Sequence, residues 1–411
     1  MTGEYSDSEL VDYGFAHNTP SDKQKVKLGL VVTNDGGVPC LFQVWAGRTA
    51  DRVTAQKNMD ALQALLKGQG RDTQQVLIVG DSANLNSELA LAYADHHLKY
   101  LAGVSLVEKA HRTLVLTPTE REWSRHPLTD DHGPTGYWGW VCEVPFVHGG
   151  RSVTHRGLVV LSGPMRTALR RTRTQQFHVL FAALREVQSK IGNKRYRTAL
   201  EVQRRAETQL RRSPVGKLVR VEAASTPEGT PTLRWWIDRP ALANAMRADG
   251  RYLLATNDPN LTPAQMLERY RDKDAVEKRF RVFKQDLQIR PLFVHSDERL
   301  RAMVLINLIA LLAYSLLERQ AHQHGVCLTA RRILEQLASL QVIEIEASDG
   351  SRTQLLSDIT PDQRRLLTRL RQGLEPPVTA APTSTPVRLL LERCLSPAAP
   401  APSGASGVAA A

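Results

Sequence analysis

Tyr270–Lys284 (YRDKDAVEKRFRVFK) carries the residues best suited to chemistry. At helical spacing Tyr270, Lys273, Glu277, Arg281 and Lys284 share one stripe. Val276, Phe280, Phe283 and Leu287 form an apolar stripe roughly 90° away. One face can enter a core while its neighbour presents a single carboxylate among cations. That combination suits joint binding of a divalent cation and a polyanion, as phosphoryl transfer on nucleic acid requires. A basic amphipathic helix with an i,i+4 pair between Glu277 and Arg281 is the plainer reading of the same residues. A second carboxylate, Asp81, ends the short apolar run Gln75–Gly80 (QVLIVG). A strand-end Asp also serves as an ordinary helix N-cap.

The elements that must position these groups follow from pattern. Val26–Thr33 and Val38–Trp45 read as strands around the turn signal Asn34-Asp35-Gly36-Gly37. Ala55–Lys67 reads as a helix, Gln75–Gly80 as a strand, Ser87–His97 as a helix and Lys99–Val104 as a strand. Open α/β sheets place ligands at the C-terminal ends of such strands, where Asp81 stands. The pattern changes between Leu106 and Pro263. Gly136–Phe146 and Ser152–Leu161 alternate as strands around Gly149-Gly150. A basic helical pair over Met165–Leu210 breaks near Gly192-Asn193, and Leu218–Ala223 and Thr232–Ile237 read as strands again. Thr262-Pro263 opens the helix that leads to Glu277. The predicted domains are residues 1–105 and 263–345 for one core, 106–262 for an insertion, 346–374 for a helical segment and 375–411 for a disordered Pro/Ala-rich tail.

Charge and thiols narrow the partners. The 411 residues carry a formal charge of +12, which favours an acidic partner such as nucleic acid. Residues 166–212 hold 13 Lys/Arg against 3 Glu, ten of those twelve net charges. The cysteines Cys40, Cys142, Cys327 and Cys394 are dispersed, so neither a zinc site nor a disulfide framework is indicated, and free thiols fit a reducing cytoplasm. Ala302–Leu317 is apolar but short for a bilayer span and closely bracketed by charge, which predicts a buried core helix and no membrane partner.

With these residues in view, Tyr270, Lys273, Glu277 and Lys284 fit the spacing Y-x2-R-x3-E-x6-K. The chain thereby resembles bacterial insertion-sequence transposases of the DDE class, in the IS-four-type superfamily. Arg290–His295 (RPLFVH) and Glu298–Ala302 (ERLRA) look like that family's continuation. Tyr13-Gly14-Phe15, Gly37-Val38-Pro39, Gly47, Thr49, Asp51, Val79-Gly80-Asp81, Asp249-Gly250 and Thr256-Asn257 resemble further landmarks in family order. The likeness spans about residues 3–320.

It implies an α/β fold: a ribonuclease-H-like core interrupted by a β-rich insertion with a basic helical hairpin. It implies Asp81 and Glu277 as catalytic and metal-holding residues, and Tyr270, Lys273, Arg281 and Lys284 as DNA contacts. It further implies a two-metal Mg²⁺ site with Mn²⁺ as a substitute, and double-stranded DNA (inverted repeats and target) as partner. A homodimer in the synaptic complex and a cytoplasmic, nucleoid-associated location complete the expectation. Lys273 departs from the family's usual Arg and gives up bidentate phosphate binding. Some relatives stack an extruded base on an insertion Trp; Trp138, Trp140, Trp235 and Trp236 are the four candidates.

The resemblance also exposes a gap. The family's core begins with a central strand bearing a first Asp, and nothing in Met1–Lys25 is apolar enough to be that strand. Asp7 and Asp12 lie in polar, loop-like sequence. An N-terminally shortened, catalytically impaired transposase is therefore expected. The alternative is a non-catalytic DNA-binding form that inhibits or regulates the full-length enzyme.

Overall fold

The computed structural model describes residues 8–14, 23–123, 125–130, 133–287, 289, 294, 296–346, 352–356, 359–372 and 407–410. The chain divides into two compact units: Met1–Ala102, Phe146–Val153 and Glu268–Ala411 form the first, and Gly103–Pro145 with Thr154–Leu267 the second.

In the first unit, β1 (Val26–Thr33) and β2 (Pro39–Ala46) form an antiparallel hairpin, with Gly36 and Gly37 at φ +78° and +60° in the turn. Positive φ is what that tight reversal demands and what glycine supplies. α1 (Asp51–Gly68), β3 (Leu77–Gly80), α2 (Ser87–Asp95) and β4 (Lys99–Gly103) follow, with β3 and β4 parallel. Every residue of β3 is buried, as its continuous apolar run requires of an inner strand.

The second unit holds α3 (Lys109–Leu116), α4 (Glu120–Trp123), β5 (Pro127–Asp130), β6 (Gly133–His148) and β7 (Arg151–Ser162), the ends of β6 and β7 nearest their turn belonging to the first. Next come α5 (Gly163–Ser189), α6 (Ala199–Arg212), β8 (Val219–Ser225), β9 (Pro231–Ile237), α7 (Arg239–Arg247) and β10 (Arg251–Thr256). Its strands run in the order β10-β7-β6-β5, and β8 pairs with β9 separately. Leu184, Val202 and Ala206, all fully buried, pack α5 and α6 into a small core with β8 and β9.

The chain continues with α8 (Pro263–Asp272), α9 (Asp274–Arg281), α10 (Asp297–Gln323) and α11 (Ala330–Leu337). β11 (Val342–Glu346) and β12 (Arg352–Leu356) then pair as a hairpin, ahead of α12 (Pro361–Gln372) and β13 (Gly407–Ala410). The strand order of the first unit is β2-β1-β13-β3-β4. β13 lies antiparallel to β1 and parallel to β3.

Three expectations need correction. Residues 407–410 are a strand, not disordered tail; Gly-Val-Ala-Ala is free of proline and small enough for a central position, while residues 373–406 lie outside those described. The hairpin β11–β12 precedes a helix where a wholly helical segment was expected; the alternation Val-Ile-Glu-Ile-Glu has strand period. Finally, α10 is buried along one face, by Leu300, Val304, Leu311 and Tyr314, while Leu305, Ile306 and Ile309 are exposed. By length and composition it is the one described helix that could cross a membrane.

Candidate active site

Asp81 follows β3 directly and begins a 3-10 turn over Ser82–Asn84. Its Oδ1 accepts hydrogen bonds from the Ala83 backbone N–H and from Asn84 Nδ2, both at 2.9 Å. A Cβ on Gly80 would come within 2.9 Å of the Asn84 side chain, so glycine lets the turn fold back onto the strand end. Asp81 is therefore a capping residue, as the plainer reading had it. Its second oxygen takes no part in these two bonds.

Glu277 sits on α9, which packs against β1 and β13. The uniform helix implied by the spacing is broken twice. α8 is opened by a reciprocal pair, the Gln265 N–H donating to Thr262 Oγ1 and the Thr262 N–H to Gln265 Oε1. It ends at Asp272, and Lys273 separates it from α9. Beyond Arg281 the backbone widens into a π-helical turn over Val282–Asp286, closed by the Leu287 N–H to Val282 C=O bond of 3.0 Å. Such widenings recur at functional sites. The apolar stripe survives both irregularities: Val276 and Phe283 are buried, and Phe280 and Leu287 half-buried.

Arg279, not singled out by the sequence reading, fixes this segment. Its guanidinium donates to the Gly37 and Gly36 carbonyls at 3.0 and 2.6 Å and to Glu318 Oε2 at 2.9 Å. Arg279 is buried, with 7% side-chain exposure, and Glu318 is half-buried at 16%. One side chain thus ties α9 to the β1–β2 turn and to α10. The only advance sign of it was its place next to the apolar stripe. Asp286 was also missed; it accepts from the Tyr314 hydroxyl at 3.1 Å and from Arg331 at 3.3 Å, bracing α10 and α11.

Tyr270 reports on both carboxylates. Burial raises its phenol above the ordinary tyrosine range, and the negative charges of Asp81 and Glu277 push the same way against Lys273. Lys273 Nζ stands 4.9 Å from the Tyr270 ring centre and 4.0 Å from Glu277 Oε1. Glu277 leans back to Lys273 rather than forward to Arg281, as helical side chains tilt toward the N-terminus. Glu277, Arg281 and Lys284 are exposed, and Lys284 Nζ lies 5.3 Å from the Phe280 ring centre. Among the described residues no group of three or more His, Cys, Asp or Glu side chains is placed to hold a metal ion. Two carboxylates still fit Mg²⁺, which is commonly bound by one or two carboxylates plus substrate phosphates.

Several landmark residues have structural duties. A Cβ on Gly14 would collide with the Gly47 carbonyl, and one on Gly47 with the carbonyls of Lys25 and Asp12. Two backbone segments meet there at a distance that admits glycine alone. Asp12 pairs by backbone with Lys25 and by side chain with Arg48 at 3.0 Å. Asp249 is buried under Arg173, whose Nη1 donates to it at 2.7 Å. Asp7 and most of Arg290–His295 lie outside the described residues. Of the four tryptophans, Trp236 is exposed and Trp138, Trp140 and Trp235 are half-buried.

No curated protein matches the chain. A family model does: residues 7–313, well over half the length and inclusive of Asp81, Tyr270 and Glu277, match the transposase DDE domain, and the chain belongs to that family.

Proposed function

We propose that the chain is an insertion-sequence transposase of the IS-four type, acting at terminal inverted repeats by strand cleavage and strand transfer. The observation that carries this reading is the placement in one unit of Asp81, at the end of β3, and Glu277, on the helix α9 that packs against β1 and β13, although these residues come from remote parts of the chain. Asp81 and Glu277 would hold Mg²⁺, or Mn²⁺ in its place; when bound, the metal supplies an activated attacking oxygen and a stabilised leaving one. Lys273, Arg281 and Lys284 neutralise backbone phosphates. The raised Tyr270 phenol stays protonated at neutral pH and can donate a hydrogen bond to a phosphate oxygen.

The order β2-β1-β13-β3-β4, with an antiparallel hairpin on one side and a parallel pair on the other, supports a ribonuclease-H-like core. Residues 106–262 are then its insertion, and synapsis of two element ends calls for a homodimer. Supercoiled plasmid carrying the element ends, incubated with Mg²⁺, tests the reading. Nicking that vanishes in both Asp81→Asn and Glu277→Gln supports it; nicking unchanged in either variant sinks it.

One observation favours a second reading, that of a DNA-binding regulator with impaired catalysis. The central strand β13 is Gly-Val-Ala-Ala and brings no acid, and the described residues offer no third ligand. Salt-sensitive binding to the ends, without nicking at any Mg²⁺ or Mn²⁺ concentration, is its signature.

A further inference from the structure

We propose that the outward face of α10 is a dimer interface, on which the same face of a second copy of this chain packs antiparallel. Such a face serves the homodimer called for by the proposed function, on which the expectation of a second copy rests. Three features of the helix carry this.

The first is a second apolar face that stays exposed. α10 buries Leu300, Val304, Leu311 and Tyr314 on one side. At about 100° per residue, Ala302, Ile306, Ile309 and Ala313 lie on the opposite side. All four are exposed, Ile306 at 67%. Leu305, also exposed, and the half-buried Leu312 widen this stripe along one flank. Of the most apolar 18 residues of the helix, 28% are buried, whereas a core helix would be covered along most of its length. A helix that is apolar on both sides belongs between two surfaces, and a contiguous exposed apolar face marks an interaction site.

The second is that the stripe reads the same in both directions. Ala302, Ile306, Ile309 and Ala313 are spaced by four, three and four positions. A two-fold contact requires that where one residue meets another, the second also meets the first. An antiparallel copy centred between Asn307 and Leu308 places Ile306 against the Ile309 of the second copy and Ala302 against its Ala313, each contact made twice. Alanine at both ends of the stripe lets the two helix axes approach closely.

The third is charge. Residues 302–317 carry none. Glu298 and Arg319 stand near opposite ends of α10, on the flank shared with Leu305 and Leu312, and Arg319 already pairs with Asp35. An antiparallel arrangement brings Glu298 of one copy to the end where the second copy carries Arg319, twice over. A parallel one would set Glu298 against Glu298 and Arg301 against Arg301, and would align the helix dipoles. Charge complementarity therefore selects both a second copy and its direction.

Sedimentation of the full chain without DNA is expected to show a monomer–dimer equilibrium, weakened at least tenfold by Ile306→Glu with Ile309→Glu. Both positions are exposed, so the far-ultraviolet circular dichroism of that variant should match the parent's, which separates a lost interface from a lost fold. In a background with the native cysteines changed to serine, chains carrying Ala302→Cys should cross-link on oxidation to chains carrying Ala313→Cys, and neither to itself. A parent that stays monomeric, a dimer unmoved by the two glutamates, or self-cross-linking of Ala302→Cys chains would each overturn the proposal. Monomers that float with neutral phospholipid vesicles would assign the face to a membrane surface instead. Monomers in which Ile306→Cys resists a thiol reagent would assign it to a segment of the same chain; both results defeat the proposal. Sedimentation needs neither DNA nor Mg²⁺, so a monomer would sink this interface while the nicking result stood or fell on its own.

Discussion

Two basic helical regions of this molecule look alike in composition and differ in construction. α5 and α6 are regular, paired over a core of Leu184, Val202 and Ala206, with exposed cations such as Arg171 and Arg204 on the helices and Lys194 and Arg195 in the turn between them. Residues 270–284 are broken at Lys273, widened after Arg281 and clamped by the buried Arg279. A continuous helix spreads charge along a surface, which serves phosphate contact regardless of sequence. A broken and clamped one fixes a few groups against neighbours from elsewhere, here Tyr270 and Lys273 beside Glu277 and within reach of the charge of Asp81. Net charge per helix would not tell these regions apart; backbone irregularity and a buried cation do.

The sharpest way to break this contrast is Arg279→Ala. Removing one partner of a buried ion pair costs about 3–5 kcal/mol and leaves Glu318 uncompensated. Chemical denaturation should show that loss, whereas Arg204→Ala, on the exposed face of α6, should fall within about 0.5 kcal/mol of the parent. Next in size, Glu277→Gln is expected to lower the nicking rate about 10²–10³-fold, the scale of losing one preorganised charge interaction. Binding to the same DNA by gel shift should change little, since a carboxylate adds nothing to phosphate affinity.

The regular region answers to salt instead. Changing Lys194, Arg195 and Arg197 to glutamine should flatten the dependence of log K on log salt by about 0.9 for each DNA phosphate these cations neutralise. A salt slope equal to the parent's would remove the turn of this hairpin from the DNA-binding surface. The smallest effect belongs to the cap of α6. Thr198 and Glu201 form a reciprocal capping box, and Thr198→Ala should cost about 1 kcal/mol at pH 7. Hydrogen bonds from the Thr198 and then the Arg197 backbone N–H hold the Glu201 carboxyl below the ordinary glutamate range. Its contribution is thus present above the unfolded-state value and lost as pH falls through the folded one. Thermal melts of the parent and a Glu201→Ala variant should accordingly draw together in acid.

Much of the first unit was readable in advance because its strands are short, apolar and punctuated. The Asn34–Gly37 turn and the buried run Val76–Gly80 announce themselves locally, as does the Thr262-Pro263 helix start in the second unit. α7 and the hairpin β11–β12 went unread, α7 because Arg239-Pro240 after Asp238 is a helix start whose apolar face is weak. The break at Lys273 and the π turn could not be seen in the spacing, since both leave the apolar stripe nearly in phase. Arg279 was passed over for a related reason: a cation beside an apolar stripe reads as surface until a carboxylate and two turn carbonyls are known to meet it.

By itself the sequence determined the alternation of elements, the basic character of residues 166–212 and the match of residues 7–313 to the transposase DDE domain. These depend on neighbours a few positions apart, within reach of local pattern. Tertiary structure alone decided which strand fills the centre of the first sheet, and that the helix of Glu277 packs onto the unit that holds Asp81. Both are pairings between segments separated by most of the chain. A strand's partner is selected by the edge left open to it, and four small residues carry no signal of which edge that is.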